Sequence, residues 1–217
     1  MDNFSLRIPA AWVRLGALKI QDKQLLSASK DGQTHPVIER TPHPGYKEPS
    51  KYNDIALLRI GPSLETAANS TLSRSIHPAC LQVGERDIYP TKATGWEMQG
   101  KGEDLLELLS VKLLIDENDE CNKTFGRYVN TYDQLPRGVD DSLLCFGRRG
   151  YAEYVACKGD FDGPLQSYYH DRSCLHTLLG VKSFGKVCNT NLPLAVYTPV
   201  PYFLDWIEEQ VWRDRKY

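Results

Sequence analysis

The segment Cys-Lys-Gly-Asp-Phe-Asp-Gly-Pro-Leu, residues 157–165, combines a cysteine, two glycines and a proline within nine residues. The cysteine offers a covalent anchor, Gly159 and Gly163 permit tight turns, and Pro164 ends the turn. These residue types predict a tight, anchored loop that presents the residue at its apex. That residue is Phe161.

The segment Tyr52–Ile60, Tyr-Asn-Asp-Ile-Ala-Leu-Leu-Arg-Ile, lies upstream of this loop. A turn-forming Asn-Asp pair opens directly into a short apolar run, which Gly61 and Pro62 end. The pattern predicts a short strand that is buried on both faces. Taken by itself, Asp54 would be explained as a turn residue that caps the start of this strand.

Local patterns predict further elements in the first half of the chain. Trp12–Ile20 is typical of a strand with a bulge at its glycine, and His35–Arg40 of a short strand. Thr41–Tyr46 predicts a loop that two prolines hold extended. His35 and His43 each lie beside a proline, and we expect both at the surface.

The second half contains one clear strand and two helical patterns. Leu105–Ile115 favours a strand because of its valine and isoleucine, and Asp116–Phe125 begins as a helix with an acidic cap would. Pro201 begins a second helix. Apolar residues that recur every three or four positions form the predicted packed face of this helix: Phe203, Trp206, Ile207 and Val211. We expect His170 and His176 at the surface.

Six ordered motifs of this chain resemble the trypsin and chymotrypsin family of serine proteases. The family's active-site loop reads Cys-x-Gly-Asp-Ser-Gly-Gly-Pro, and its triad aspartate lies in Asn-Asp-Ile-Ala-Leu-Leu after a His-Pro-x-Tyr loop. The residues before Asp54 resemble the arthropod clip-domain branch of the family. Four further segments match the family. Ile76–Leu81 resembles the linker between its two barrels, and Ala93–Trp96 resembles the opening strand of its second barrel. Val181–Gly185 resembles its cleft strand, and Leu194–Thr198 resembles its Val-Tyr-Thr segment.

The resemblance covers about residues 12–212 and implies an all-β fold, with two antiparallel six-stranded Greek-key barrels and a C-terminal α-helix. We expect one trypsin-like domain over residues 1–217, divided into a partial amino-terminal barrel and linker (about 1–88), a carboxy-terminal barrel (about 89–200) and a terminal helix (about 201–213). The family's Ala-Ala-His-Cys segment and its Arg-Ile-Val-Gly-Gly activation junction do not occur in the sequence. We therefore expect an incomplete first barrel and a sequence truncated at its amino terminus, by an alternative start or a mispredicted gene.

The resemblance also assigns positions in the catalytic machinery. Phe161 stands where the family has its nucleophilic serine, Asp54 where it has the triad aspartate, and Gly159 at an oxyanion-hole position. A phenyl ring cannot attack a carbonyl group, and no histidine of the sequence has the family's catalytic context. We therefore expect no intact catalytic machinery, with Asp54 as its remnant acid.

The walls of the family's specificity pocket correspond to five positions of this chain: Val155, Ala156, Ser183, Gly185 and Ala195. Trypsin-like enzymes have an aspartate at the position of Val155, so the resemblance implies that a preference for Arg or Lys is lost. Ser183 corresponds to a residue that holds the triad aspartate. The expected pocket is small and apolar.

The six cysteines favour disulfides over a zinc site, because the sequence has no close Cys-x-x-Cys pair. The family's pattern implies two bridges, Cys121–Cys145 and Cys157–Cys188. Cys80 and Cys174 are left without the partners that the family provides. They pair with each other only if the geometry permits.

Composition and charge exclude several classes of function. Hydrophobic residues make up 41% and charged residues 25% of the 217 residues, which is typical of a globular chain with a core. The formal net charge of −2 gives no general reason to bind nucleic acid. No apolar run approaches the roughly 18 residues of a membrane helix, so we expect no membrane insertion. No motif indicates a metal or a cofactor.

The cysteines and the Asn-x-Ser/Thr sequons point to an extracellular, secreted protein. Asn69 and Asn122 are candidates for glycosylation. Residues 1–7 carry an acid early and are followed by no apolar block, so the sequence shows no signal peptide of its own.

The function expected from these features is that of a catalytically inactive serine protease homologue, which binds or regulates protein partners. Those partners are expected to be proteases or zymogens of an extracellular cascade in immunity or development. The alternative is a trypsin-like serine endopeptidase of which this sequence is a truncated or defective form.

Overall fold

The structure is a computed structural model, and it describes residues 9–21, 32–63, 72, 76–84, 91–98, 105–115, 121–126, 134–147, 163–168, 176–185 and 194–213. The strands in chain order are β1 (Trp12–Leu15), β2 (Lys19–Gln21), β3 (Gln33–Pro42), β4 (Ala56–Ile60), β5 (Cys80–Leu81), β6 (Thr91–Met98), β7 (Leu105–Ile115), β8 (Leu144–Gly147), β9 (Pro164–Tyr168), β10 (His176–Gly185) and β11 (Leu194–Pro199). The helices are α1 (121–126), a 3₁₀ turn (Pro201–Phe203) and α2 (Leu204–Trp212).

Six strands, β6 to β11, close into an antiparallel barrel. β6 pairs with β7 and β9, β8 pairs with β7 and β11, and β10 pairs with β9 and β11. Each barrel strand therefore has two partners, and closure leaves the barrel without an open edge. This arrangement confirms the second of the two predicted barrels.

The interior of the barrel follows from the alternation of side chains along its strands. On β7, Val111 and Leu113 are buried, whereas Ser110 and Lys112 between and beside them are exposed. The buried residues of the interior come from five of the six strands: Ala93, Val111, Leu113, Leu144, Phe146, Leu165 and Tyr197. The barrel thus has a packed core, not a pore.

Strands β1, β3 and β4 form a separate three-stranded antiparallel sheet with β3 in the centre. In the part of the chain that the structure describes, β3 is the only strand that pairs with β1 or β4. Leu58 of β4 is 44% exposed and Ile38 of β3 is 57% exposed. The prediction that β4 is buried on both faces is therefore wrong, because one face of this open sheet is solvated.

The predicted bulged strand over residues 12–20 is divided into two strands. Gly16 has a φ of 75°, a left-handed conformation that turns the chain and that glycine adopts at little cost. As a result β1 pairs with β3, whereas β2 pairs with β7 of the barrel. The strand predicted at residues 35–40 is part of the longer β3.

The 3₁₀ turn and α2 together form the C-terminal helix (residues 201–212), which packs where the sheet and the barrel meet. Phe203 and Ile207 are buried together with Val200, and Leu57 of β4 and Leu178 of β10 pack against this cluster. Val211 is 48% exposed, so the apolar face predicted for this helix ends one turn earlier than expected. The predicted helix at residues 116–125 is observed over 121–126, and residues 116–120 lie outside the described chain.

Candidate functional site

Asp54 lies in a turn that fixes its backbone before β4 begins. Asn53 has a left-handed φ of 57°, and the Ile55 N–H donates to the Asn53 carbonyl oxygen over 2.8 Å. Asparagine tolerates this conformation better than most residues. The Asn-Asp pair identified in the sequence therefore sets the direction of the Asp54 carboxylate.

Two strands of the barrel hold Asp54 by hydrogen bonds. The Ser183 hydroxyl of β10 donates to Asp54 Oδ2 over 2.6 Å, and the Thr198 hydroxyl of β11 donates to the Asp54 carbonyl oxygen over 2.9 Å. The register between β10 and β11 shifts between Lys182 and Phe184, so Ser183 lies at a bulge. Bulges re-aim side chains, and this one coincides with the contact to Asp54.

The residues around Asp54 form part of a segment between β3 and β4, residues 43–55, which we call the connecting segment. It contacts the second half of the molecule at two further points besides Asp54. Sequence reasoning identified neither contact, because each depends on residues distant in the chain.

The first of these contacts centres on Tyr52, which is only 5% exposed. Its hydroxyl donates to the Gly138 carbonyl oxygen over 2.6 Å and accepts from the Arg137 N–H over 3.0 Å. The Arg137 guanidinium lies 4.0 Å from the centre of the Tyr52 ring and also pairs with Asp140 over 2.9 Å. Burial raises the pKa of the Tyr52 phenol, so the hydroxyl remains protonated and can donate.

The second contact is made by His43, which is half-buried against the C-terminal helix. Its ring centre lies 5.1 Å from that of Phe203 and 4.9 Å from that of Trp206, in edge-on geometry. Its backbone N–H donates to the Ile55 carbonyl oxygen over 2.9 Å. The prediction of a surface histidine is therefore wrong for His43, because the aromatic residues of the helix cover its ring.

The predictions for two other histidines are also wrong. His35 is 2% exposed on β3, and its Nδ1 lies 2.8 Å from the Gly61 carbonyl oxygen, to which it donates. His176 begins β10 and is half-buried, and burial, followed by the charge of Lys92, lowers its pKa. In both cases strand pairing carried the residue inward, and for His35 the neighbouring Pro36 did not prevent it. His170 lies outside the described residues.

The structure places three of the five predicted pocket positions. Gly185 and Ala195 face each other in the register of β10 and β11, and a Cβ on Gly185 would lie 3.3 Å from the Leu194 carbonyl oxygen. Ser183 lies two residues before Gly185 and contacts Asp54. Val155 and Ala156 lie outside the described residues, as do Gly159 and Phe161.

Residues 163–165, at the start of β9, are the described part of the loop predicted at residues 157–165. Gly163 approaches β6 so closely that a Cβ at this position would lie 1.9 Å from the Thr94 carbonyl oxygen. Because that oxygen belongs to the backbone of a barrel strand, it cannot move aside cheaply. The glycine at this end of the loop is therefore required by packing.

Cys121 and Cys145 are joined by a disulfide that ties α1 to β8, with Cα atoms 6.3 Å apart. Cys80 is exposed and has no disulfide partner among the described residues. The other predicted bridge and the remaining unpaired position lie outside those residues: Cys157, Cys188 and Cys174.

Asn122, one of the two glycosylation candidates, has a structural contact of its own. Its Oδ1 accepts from the Val139 N–H over 2.7 Å, and its Nδ2 donates to the Val139 carbonyl oxygen over 3.4 Å. The side chain therefore bridges α1 to residues 134–143. Asn69 lies outside the described residues.

Two kinds of feature are absent from the described residues. No group of three or more histidine, cysteine, aspartate or glutamate residues in that part of the chain is arranged to hold a metal ion. No helix in the same part of the chain is long and apolar enough to cross a membrane.

Comparison with known proteins identifies both sequence relatives and structural neighbours. The family model described as Trypsin matches residues 14–207. Serine protease Hayan of Drosophila melanogaster is 32% identical over 212 residues, which cover 95% of this chain and 31% of that protein. Serine protease snk of the same organism is 30% identical over 202 residues, covering 93% of this chain and 43% of that protein.

A third relative is the clotting factor G beta subunit of Tachypleus tridentatus, 29% identical over 206 residues that cover 91% of this chain and 60% of that protein. The chain thus spans between 31% and 60% of the length of these three relatives. Among solved structures, neuropsin, a serine protease expressed in the limbic system of mouse brain, matches with a TM-score of 0.62 at 20% identity, covering 92% of this chain and 78% of that chain. This likeness shows the fold alone.

Proposed function

The chain belongs to the trypsin family, whose activity is that of a serine-type endopeptidase, and we propose that it is a catalytically inactive homologue that acts by binding other proteins. The observation that carries the proposal is Phe161, which stands in the printed sequence where the family motif has its nucleophilic serine. Loss of the nucleophile alone lowers kcat about a millionfold in a serine protease of another fold. No other change is needed to remove peptidase activity.

The contacts of Asp54 support the second half of the proposal, that the scaffold still presents a shaped cleft. Asp54 is held by Ser183 and Thr198, and through them the connecting segment is fixed to the barrel. Gly185 and Ala195 occupy adjacent positions on neighbouring strands at the same end of the barrel. A scaffold that keeps these contacts without its nucleophile can bind a polypeptide without cutting it.

The partners that we propose are proteases or zymogens of an extracellular cascade in immunity or development, which makes this chain a secreted protein. Two relatives are named serine proteases, and a third is named a subunit of a clotting factor. The formal net charge of −2 provides no general attraction to nucleic acid, which favours a protein partner.

Labelling with a fluorophosphonate probe tests the loss of catalysis, because this reagent forms a covalent adduct with an activated serine. We expect the intact mass of the protein to remain unchanged under conditions in which trypsin is fully labelled. Any stoichiometric adduct would contradict the proposal. The Ser183→Ala variant serves as the matched control, because an adduct that this substitution removes would identify Ser183 as a substitute nucleophile.

Binding is tested separately, with immobilised protein and a panel of trypsin-family protease domains in zymogen and active forms. We expect saturable binding to at least one member, at micromolar affinity or tighter. Failure to bind any member would argue against the cascade partners, whatever the labelling experiment shows.

The alternative function is that of a serine endopeptidase, of which this sequence is a truncated or defective form. The match to the family over residues 14–207 and the short Ser183–Asp54 hydrogen bond favour it. Peptide hydrolysis by the natural protein, inhibited by the same fluorophosphonate, would establish this alternative.

A further inference from the structure

The ring of His43 lies between two parts of the molecule. On one side it meets Phe203 and Trp206 of the C-terminal helix, with ring centres 5.1 and 4.9 Å away. On the other side its Nδ1 accepts a hydrogen bond from the Gly45 N–H over 3.1 Å. One imidazole therefore links the C-terminal helix to the connecting segment.

Gly45 passes this link on to the turn that holds Asp54. Its carbonyl oxygen accepts from Asn53 Nδ2 over 3.1 Å. A Cβ on Gly45 would lie 2.9 Å from Asn53 Nδ2 and 3.2 Å from His43 Nδ1, so its backbone is packed between the two side chains. The series His43, Gly45, Asn53 therefore ends at the residue directly before Asp54.

This arrangement requires the neutral form of the His43 ring. An Nδ1 that accepts a hydrogen bond carries no proton, and protonation would place an N–H opposite the Gly45 N–H. Gly45 would then lose its acceptor, and two donors would face each other. The charged ring would also lose part of its hydration against the helix.

Aromatic rings can also favour a cation, so two effects compete at this site. Burial lowers the pKa of His43, and the hydrogen bond that the Gly45 N–H donates to Nδ1 also favours the neutral ring. Charged groups on the elements packed around the ring are exposed or half-buried, and none of them is a cause of this shift: Lys47, Glu48, Lys51 and Asp54 of the connecting segment and Asp205, Glu208 and Glu209 of α2.

We propose that His43 is a pH-sensitive latch, whose neutral ring holds the connecting segment against the C-terminal helix and whose protonation releases that segment. The turn that presents Asp54 would loosen with it, so the shape of the cleft would depend on pH. The latch does not depend on whether the protein cleaves peptides, because none of its atoms takes part in catalysis.

The direction of the pH effect follows from linkage. The pKa of His43 is lower in the folded protein than in the unfolded chain, so the unfolded chain binds more protons as the pH falls. The latch therefore contributes its full stabilisation above the unfolded value of 6.5, and that contribution is lost as the pH falls through the folded value.

Hydrogen exchange measured by mass spectrometry tests the latch in the whole chain. The protection of peptides that contain residues 43–55 is compared at pH 7.5 and pH 5.5, after correction for intrinsic exchange rates. We expect protection in the unsubstituted protein to fall by about fivefold or more on acidification. Peptides from the barrel strands β6 and β7 should change by less than about twofold.

Two variants separate the latch from other effects of acid. His43→Asn keeps an acceptor near the position of Nδ1 but cannot titrate, and its segment should change by less than about twofold between the two pH values. His77→Asn removes an exposed histidine elsewhere and should behave as the unsubstituted protein does. Equal losses in His43→Asn and in the unsubstituted protein would overturn the proposal.

A second measurement keeps the test decisive if His43→Asn does not fold. The ring protons of His43 are titrated by NMR in the unsubstituted protein, and their midpoint is compared with the midpoint of the loss of protection. Coincident midpoints support the latch. Midpoints more than about one pH unit apart, or protection that survives acidification, would refute it.

Discussion

The closed barrel and the three-stranded sheet of this chain are both antiparallel, but they differ in how many partners their strands have and in how well their side chains are buried. Every strand of the barrel has two partners, and its interior residues, such as Leu165 at 0% exposure, are fully buried. The sheet β1-β3-β4 has an open face on which Leu58 is 44% exposed. The barrel is stabilised by its own closure, whereas the sheet depends on contacts made by the connecting segment.

Those contacts occur at three places on the second half of the molecule. Asp54 contacts strands β10 and β11, Tyr52 contacts residues 134–143, and His43 contacts the C-terminal helix. The connecting segment therefore helps to fix the sheet against the barrel, together with Leu57 of β4 and the pairing of β2 with β7. Substitutions in the two regions should differ accordingly.

The largest effect is expected at the point where the predicted active-site loop meets the barrel. Gly163→Ala would place a Cβ 1.9 Å from the Thr94 carbonyl oxygen, and neither backbone can move without breaking barrel pairing. We expect a loss of at least about 4 kcal/mol in the free energy of unfolding, measured by urea denaturation. Gly126→Ala is the control, because a Cβ there meets nothing within 4 Å, and it should change stability by no more than about 1 kcal/mol.

A matched pair of leucines compares the two regions directly. Leu165→Ala in the barrel creates a cavity at a position with 0% exposure and should cost about 2–5 kcal/mol. Leu58→Ala removes the same atoms from a side chain that is 44% exposed and should cost less than about 1.5 kcal/mol. Equal losses in thermal unfolding would show that the sheet is covered in solution and would contradict the comparison.

An intermediate effect is expected at the contact between Tyr52 and residues 134–143. Tyr52→Phe removes a hydroxyl that donates to the Gly138 carbonyl oxygen and accepts from the Arg137 N–H, and it leaves both groups without that partner. We expect a cost of about 1–3 kcal/mol in chemical denaturation. Tyr202→Phe is the control, since Tyr202 is 59% exposed. A similar loss of stability in that variant would show that the Tyr52 hydroxyl has no specific role.

The smallest effect is expected at Asp140, next to the same contact. Burial alone would raise the pKa of Asp140, but hydrogen bonds from Ser142 and Arg137 lower it below the ordinary value of 3.8. Its stabilisation is therefore present above that value and is lost as the pH falls through the folded value. Asp140→Asn should cost less than about 1 kcal/mol at pH 7 and should flatten the stability profile below about pH 4. An unchanged profile in thermal melts from pH 5 to pH 2.5 would count against this assignment.

The sequence predicted the closed barrel through the resemblance to the family, and among the barrel strands residues 105–115 were also predicted from their valine and isoleucine. It predicted the Ser183–Asp54 contact through resemblance alone, since a bulge between Lys182 and Phe184 has no local signal in the sequence. It did not predict the burial of His35 and His43. A histidine beside a proline is consistent with a surface loop, and only pairing with distant strands or helices brings it inside.

Motifs and residue types were sufficient to indicate the family, the strand at residues 105–115, and the turn at Asn53 and Asp54. The order of motifs along the chain indicates the family, and local residue types indicate the strand and the turn. The solvated face of the sheet and the contacts of the connecting segment with the barrel and the C-terminal helix became apparent in the folded molecule alone. Those outcomes depend on which distant groups meet, and no local pattern in the chain encodes that choice.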